Sequence, residues 1–210
     1  MTQSEALNIL KAGRNVYLTG AAGSGKTYVL NQYIDYLKER NVGVAVTAST
    51  GIAATHLRGM TIHSWSGMGI KDDLSDYDIE LLVQKEHLFK RYDKTRVLII
   101  DEISMLSPVF FDALDRLARA MKQNNAPFGG MQVICSGDFF QLPPIARGED
   151  NYTYAFESTA WKAINPIVCY LTKQYRHGGN EFLALLSAIR NSAVTEEMRS
   201  LLSSRSNKQS

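Results

Sequence analysis

Five short apolar runs, at 15–19, 43–48, 96–102, 131–136 and 167–171, alternate with longer stretches of helical period. Runs this short and continuous, rich in β-branched residues, predict strands buried on both faces, as in a parallel sheet. After the first run, Val29, Leu30, Tyr33, Ile34 and Leu37 recur on one helical face. After the third, Ser107-Pro108 opens a helix with an N-cap residue and Pro at its first position. Its buried face is predicted as Val109, Phe110, Ala113, Leu114, Leu117, Ala118 and Met121. On its wet face, Asp112–Arg116 and Asp115–Arg119 are expected to pair at i,i+4. Shorter helices are predicted from Gln3 to Leu10 and from about Asn180 to Arg190. Strand–helix alternation of this kind predicts an α/β domain with helices on both faces of a mostly parallel sheet.

The pattern weakens between Ser66 and Lys90, which contain glycines and then Asp72, Asp73, Asp76 and Asp78. This segment reads as an exposed insertion between the second and third core strands, with a short helix from Ile79 to Phe89. The tail from Ser203 to Ser210 is polar and expected to be disordered. No internal repeat is visible.

Composition narrows the class without naming a function. The 210 residues allow one domain with a buried core, and 45% hydrophobic with 21% charged residues is ordinary for a globular chain. A net charge of +2 is too weak to argue for nucleic acid. Cys135 and Cys169 lie inside apolar runs without metal-ligand spacing, so two buried reduced thiols are expected. Without a leader or a long apolar span, the protein is expected inside the cell and off the membrane.

The chemistry sits where the strands end. Gly20-Ala21-Ala22-Gly23-Ser24-Gly25-Lys26-Thr27 follows the first strand and opens a helix. That is the spacing of a P-loop, whose backbone N–H groups and helix N-terminus cradle nucleotide phosphates. The predicted nucleotide contacts are Gly20, Ala22, Gly23, Ser24, Gly25, Lys26, Thr27 and Tyr28. Lys26 supplies charge to the β- and γ-phosphates of ATP, and Thr27 a hydroxyl for Mg²⁺. Asp101 closes the third strand and is the second Mg²⁺ anchor, while Glu102 beside it is the candidate base for the attacking water. Ser49-Thr50-Gly51 after the second strand is either an anion site or a plain helix cap. Gln141 and Arg176 could serve a γ-phosphate, or be a loop amide and a surface ion pair. Trp65 could stack on a base or sit in the core.

Taken together, these words resemble the first RecA-like domain of the Pif-one helicases, in the 5′-to-3′ branch of superfamily one. The likeness runs from about Gln3 to Arg190. It is carried by Gly20–Thr27, the run from Thr47 to Ala54, Gly59-Met60-Thr61-Ile62-His63-Ser64-Trp65, and Asp101-Glu102-Ile103-Ser104-Met105. The run from Met105 through Pro127-Phe128-Gly129-Gly130 to Gly137-Asp138-Phe139-Phe140-Gln141-Leu142-Pro143-Pro144 is its most specific part.

The resemblance implies a P-loop RecA-like fold and ATP hydrolysis coupled to movement on single-stranded DNA. Forked or tailed duplex DNA would be unwound, in repair, recombination or telomere maintenance. It implies that Gln3 reads adenine and that Gln141 and Arg176 attend the γ-phosphate. Thr50, Gly51, His63, Ser64 and Trp65 would contact DNA, and residues 66–90 would form a strand-separating wedge. Cytoplasm or nucleoid, or the nucleus or mitochondrion of a eukaryote, would be the location. Residues 1–190 would be the motor domain and 191–210 a helix end and tail. A second RecA-like domain, which such a motor needs, has no motifs here, so this chain alone is expected not to unwind. The competing reading is a free-standing P-loop ATPase or switch that works on a protein partner.

Overall fold

The computed structural model describes residues 1–144, 153–173, 185, 188–189 and 193–206. Its frame is a six-stranded sheet of β1 (Val16–Gly20), β2 (Val44–Ala48), β3 (Met60–Thr61), β4 (Val97–Asp101), β5 (Gln132–Ser136) and β6 (Ile167–Leu171). The order is β3-β2-β4-β5-β1-β6, and every pairing is parallel. Five of these are the apolar runs. The sixth, two-residue β3, has too little sequence to show a period and forms only because it reaches the free edge of β2.

The continuous apolar runs serve both faces. Along β4, Val97 and Ile99 point into one core with Leu30, Ile34 and Leu10, while Leu98 and Ile100 point into the other with Phe110, Leu114 and Val133. Helices α1 (Gln3–Lys11) and α2 (Lys26–Glu39) cover the first face. Three others, α6 (Glu86–Lys94), α7 (Pro108–Lys122) and α8 (Thr159–Ile164), cover the second. Short helices α3 (Gly51–His56) and α4 (Ile62–Ser66) flank β3, α5 (Asp76–Val83) precedes α6, and α9 (Glu196–Ser206) lies near the end. Cys135 and Cys169 are free and buried, and burial pushes both thiols up from the usual range. No helix among the described residues is long and apolar enough to cross a membrane.

The segment after Ser66 departs from its reading as an exposed insertion. Met68, Leu74, Leu82 and Leu88 are buried in the second core. Two helices replace the single one, because Lys85 turns extended between them (φ −78°, ψ 100°). Ser75 caps α5 reciprocally with Asp78.

Of the charges on α7, Asp115 and Arg119 pair along the helix as expected, while Asp112 and Arg116 work across elements. Arg116 donates to the Leu74 carbonyl at 2.7 Å and pairs with Asp73 and Asp76, so it anchors the insertion. Asp112 instead accepts from Thr159 N and Ala160 N at the start of α8. Asp115 is not on a wet face. It is 6% exposed, accepts from Phe128 N at 2.5 Å and pairs with Arg119 at 2.8 Å. Val109, expected in the buried face, is 51% exposed. Helix α9 runs past Ser203, so the polar tail is helical as far as Ser206. The helix expected at 180–190 lies outside the described residues except for Leu185, Ala188 and Ile189.

Candidate nucleotide site and strand groove

All six strands point the same way, so their carboxyl ends line one edge of the sheet, where ligands of open α/β folds bind. Two cavities open there.

The first holds about 400 Å³ and is lined by Ala22, Gly23, Gly25, Lys26, Thr27, Glu102 and Gln141. The loop after β1 makes it by wrapping tightly. A Cβ on Gly20 would lie 2.7 Å from the Leu171 carbonyl oxygen. Gly23 and Gly25 adopt φ of +79° and +88°, which lets the chain curl before α2 begins at Lys26. Lys26 Nζ donates to the Gly20 carbonyl at 2.8 Å. Ser24 is buried, and its Oγ has no hydrogen-bond partner among the described residues. Gln3, at the start of α1, touches the same loop, its Nε2 donating to Ser24 O at 3.2 Å. Tyr28 points outward from α2, and its hydroxyl accepts from Gln32 at 3.0 Å.

Glu102 meets the cavity from the end of β4, with Asp101 buried beside it. Asp101 is 8% exposed, and burial raises its carboxyl above the usual range while the Lys26 charge opposes the rise. Glu102 sits in left-handed backbone (φ 53°, ψ 45°). That turn brings its side chain into the cavity. Burial, then the neighbouring Asp101, raises its carboxyl, with Lys26 again opposing. Gln141 approaches from the loop after β5, held by Asp138 through its own N–H at 2.9 Å and its amide at 3.3 Å. Arg176 lies outside the described residues.

The second cavity is a groove of about 650 Å³ with two unlike walls. Ser49, Thr50, Thr61, His63 and Ser64 form a polar side, and Met105, Leu106, Phe110 and Pro144 an apolar one. Ile70, which is 91% exposed, and Asp72 stand at its rim. Thr50 caps α3, accepting from Ala53 N at 3.2 Å, and it also lines the groove. Gly51 begins α3 beside it, exposed. His63 packs its ring on Phe110 at 4.5 Å, and burial lowers its pKa against the pull of Asp72. Arg91 steadies α4 by donating to the carbonyls of Ser64 and Trp65 at 3.2 and 2.7 Å.

Trp65 takes the core place that its sequence left open, against the DNA contact that the resemblance implied. It is 4% exposed and packed on Tyr92 at 4.6 Å, so its ring has no open face for a base. The groove's apolar side was not anticipated as a site. Met105 was legible only as part of a motif word. Phe110 read as core because it lies on the buried stripe of α7, whose first turn both enters the core and borders the groove.

A nucleotide-sized cavity built from a P-loop, with an acidic strand end facing it, defines a P-loop nucleotide-binding domain of RecA-like architecture. The family model for PIF1-like helicases matches residues 3–200, and the chain belongs to that family. It is 55% identical over 183 residues to an ATP-dependent DNA helicase Pif1 from Psychrobacter sp., covering 86% of this chain and 28% of the relative. The human ATP-dependent DNA helicase PIF1 is 37% identical, over 93% of this chain and 30% of its own length. Among solved structures, the Pif1 helicase from Candida albicans superposes with a TM-score of 0.82 at 37% identity, over 93% of this chain and 45% of that one. Pif1 helicase from Bacteroides in complex with ADP-AlF3 and ssDNA gives 0.81 at 34% identity, over 96% and 48%. The chain therefore spans about a third or less of these curated relatives and about half of the solved chains.

Proposed function

We propose that this chain is the ATP-binding motor lobe of a 5′-to-3′ DNA helicase, acting on single-stranded and on forked or tailed duplex DNA inside the cell. The observation that carries the reading is the meeting of Lys26, Thr27, Glu102 and Gln141 around one cavity, beside a groove with one polar and one apolar wall. A switch acting on a protein partner would need no such groove.

In this reading the loop N–H groups and Lys26 hold the phosphates of ATP, and Gln3 reads the adenine edge. Lys26 exchanges its carbonyl contacts for the β- and γ-phosphates. The residues present suit Mg²⁺. Among the described residues no cluster of three acidic, His or Cys side chains forms a metal cage, but a hydroxyl (Thr27) and a buried carboxylate (Asp101) are oxygen donors of the kind Mg²⁺ shares with phosphates. When bound, Mg²⁺ would draw negative charge from the phosphate oxygens. Glu102 takes the proton from the attacking water, its raised pKa bringing it nearer to neutral pH. Gln141 orients that water, and Arg176 neutralises charge on the γ-phosphoryl group.

Phosphates of a single strand run along Thr50, Gly51, His63 and Ser64, and bases rest on Met105, with Phe110 buried against the His63 ring. Asp72 at the rim would repel phosphates and so favours this orientation. Residues 66–90 hold Ile70 at the entrance and act as the wedge. A second lobe, which this reading requires, would close over ATP and let the pair step.

The test is binding of a dye-labelled deoxythymidine oligonucleotide by this chain at several salt concentrations. The logarithm of affinity should fall linearly with the logarithm of salt, by roughly 0.7 per phosphate contacted. No binding, or binding indifferent to salt, overturns the assignment of the groove. ATP-dependent strand displacement by these 210 residues alone would overturn the need for a second lobe.

A further inference from the structure

Asp138 is a buried carboxyl at the same edge of the sheet, and it has no part in the steps above. It is 2% exposed, and a charged side chain is seldom so enclosed unless its oxygens are engaged. Gly137 before it is fixed to β1, its N–H donating to Leu18 O at 3.2 Å and its carbonyl accepting from the Tyr17 hydroxyl at 3.4 Å. A Cβ on Gly137 would lie 3.0 Å from Ile103 N. The loop after β5 therefore starts packed against the segment that carries Glu102.

Three hydrogen bonds then gather this loop around Asp138. Phe140 N donates to Oδ1 at 3.2 Å, the bond of an Asx turn. Gln141 N donates to the Asp138 carbonyl at 2.9 Å. Gln141 Nε2 donates to Oδ2 at 3.3 Å. The two carboxyl oxygens thus have different tasks. One shapes the turn, and the other holds the amide of a residue that lines the nucleotide cavity.

The ends of an amide are chemical opposites, an acceptor oxygen and a donor NH₂. Either end could serve a bound nucleotide, the NH₂ giving to a phosphate oxygen or Oε1 taking from a water. A carboxylate oxygen accepts and does not give, so the end of Gln141 that meets Asp138 is the NH₂.

We propose that Asp138 is a positioning residue that fixes the Gln141 amide with Oε1 toward the attacking water, so that Gln141 accepts from that water instead of aiming its NH₂ at the γ-phosphate. This rests on the reading of the cavity given above. One O–H of the water faces Glu102 and the other donates to Oε1. With both directions set, an oxygen lone pair points at phosphorus, whereas Glu102 alone would leave the water free to turn about one hydrogen bond. Asp138 and Gln141 keep their protons throughout.

Asp138→Asn has nearly the same shape but one acceptor oxygen in place of two. With that oxygen kept by Phe140 N, the new NH₂ faces Gln141. Gln141 then turns Oε1 to meet it and offers its own NH₂ to the cavity. Single-turnover hydrolysis in the full-length protein with bound DNA should slow on the order of 10²-fold, the scale of a misaimed reacting group. Affinity for a fluorescent ATP analogue should stay within about threefold, because the groups that hold the phosphates are untouched. Exchanging the pair, Asp138→Asn with Gln141→Glu, keeps the summed charge and restores the pattern. The Asn NH₂ donates to one Glu oxygen and the other oxygen accepts from water, so about tenfold of the rate or more should return. In a Gln141→Ala background, Asp138→Asn should change the rate by less than about threefold, since no amide is left to aim. The positioning is overturned if Asp138→Asn hydrolyses at the parent rate, if it loses its melting transition, or if the exchanged pair is no faster than Asp138→Asn alone. It is also overturned if Asp138→Asn slows the Gln141→Ala protein as much as the parent, because the cause would then be the charge that Asp138 places near Glu102. Gln141→Ala at the parent rate would remove the role of Gln141 itself, and the positioning falls with it.

Discussion

Glu102→Gln separates holding ATP from splitting it. The replacement keeps the size of the side chain and removes the charge that would take a proton. In the cavity, Glu102 lies beside Asp101 and near Asp138, both of which raise its pKa, with Lys26 the opposing charge. Removing one member of this acidic group relieves repulsion, so the variant should be no less stable than the parent. The cavity also becomes less negative, so a polyphosphate should bind equally well or a few-fold more tightly. Thr27 and Asp101 remain for Mg²⁺, so binding should still depend on that ion. Hydrolysis should slow by ~10²–10⁴-fold, the usual contribution of a positioned base. At 1.36 kcal/mol per tenfold, that is about 2.7–5.4 kcal/mol on the barrier. Single-turnover hydrolysis in the full-length protein with bound DNA reads the chemical step, and titration with a fluorescent ATP analogue reads binding. Hydrolysis at the parent rate would show that Glu102 is not the base. A loss of binding equal to the loss of rate would show that it serves nucleotide affinity instead.

Three further expectations concern other parts of the molecule. Lys26→Ala should weaken ATP binding at least tenfold, about 1.4 kcal/mol or more, and an unchanged calorimetric affinity would refute the P-loop assignment. Asp115→Ala should cost about 2–4 kcal/mol, because it leaves the Phe128 N–H buried without a partner and breaks a largely buried ion pair. A melting temperature within a degree or two of the parent would show that the Phe128–Gly130 turn holds without it. Hydrogen bonds from Lys71 and then Ser75 hold the Asp78 carboxyl down to about 2, against a reference value of 3.8. Its contribution to stability is therefore present above 3.8 and is lost as pH falls through about 2. Lys71→Met should return the carboxyl toward 3.8 in a carbon-detected NMR titration, and an unmoved midpoint would remove Lys71 as the cause.

The elements of this fold were legible where a local rule decided them. Five strands showed as apolar runs because each had to be greasy on both faces. The nucleotide loop showed because glycine spacing and a following Lys-Thr answer to phosphate geometry, which any chain must meet in the same order. What escaped depended on contacts between residues far apart in the chain. Asp112 and Arg116 were placed one helical turn apart on α7, yet each spends its charge on another element, and Asp115 keeps its Arg119 partner while also holding the Phe128 N–H, since the start of α8, the Phe128 N–H and the Leu74 carbonyl offered groups in need of partners. Trp65 stood next to residues expected to contact DNA, and only the packing of α4 against α6 turned its ring onto Tyr92. The groove's apolar wall was hidden for the same reason. Met105 and Phe110 follow β4 and Pro144 follows β5, and these two segments meet because parallel strands deliver their carboxyl ends to one edge. Local pattern specifies elements and the residues whose chemistry is contiguous, whereas tertiary packing decides which side chains from separate elements share a cavity.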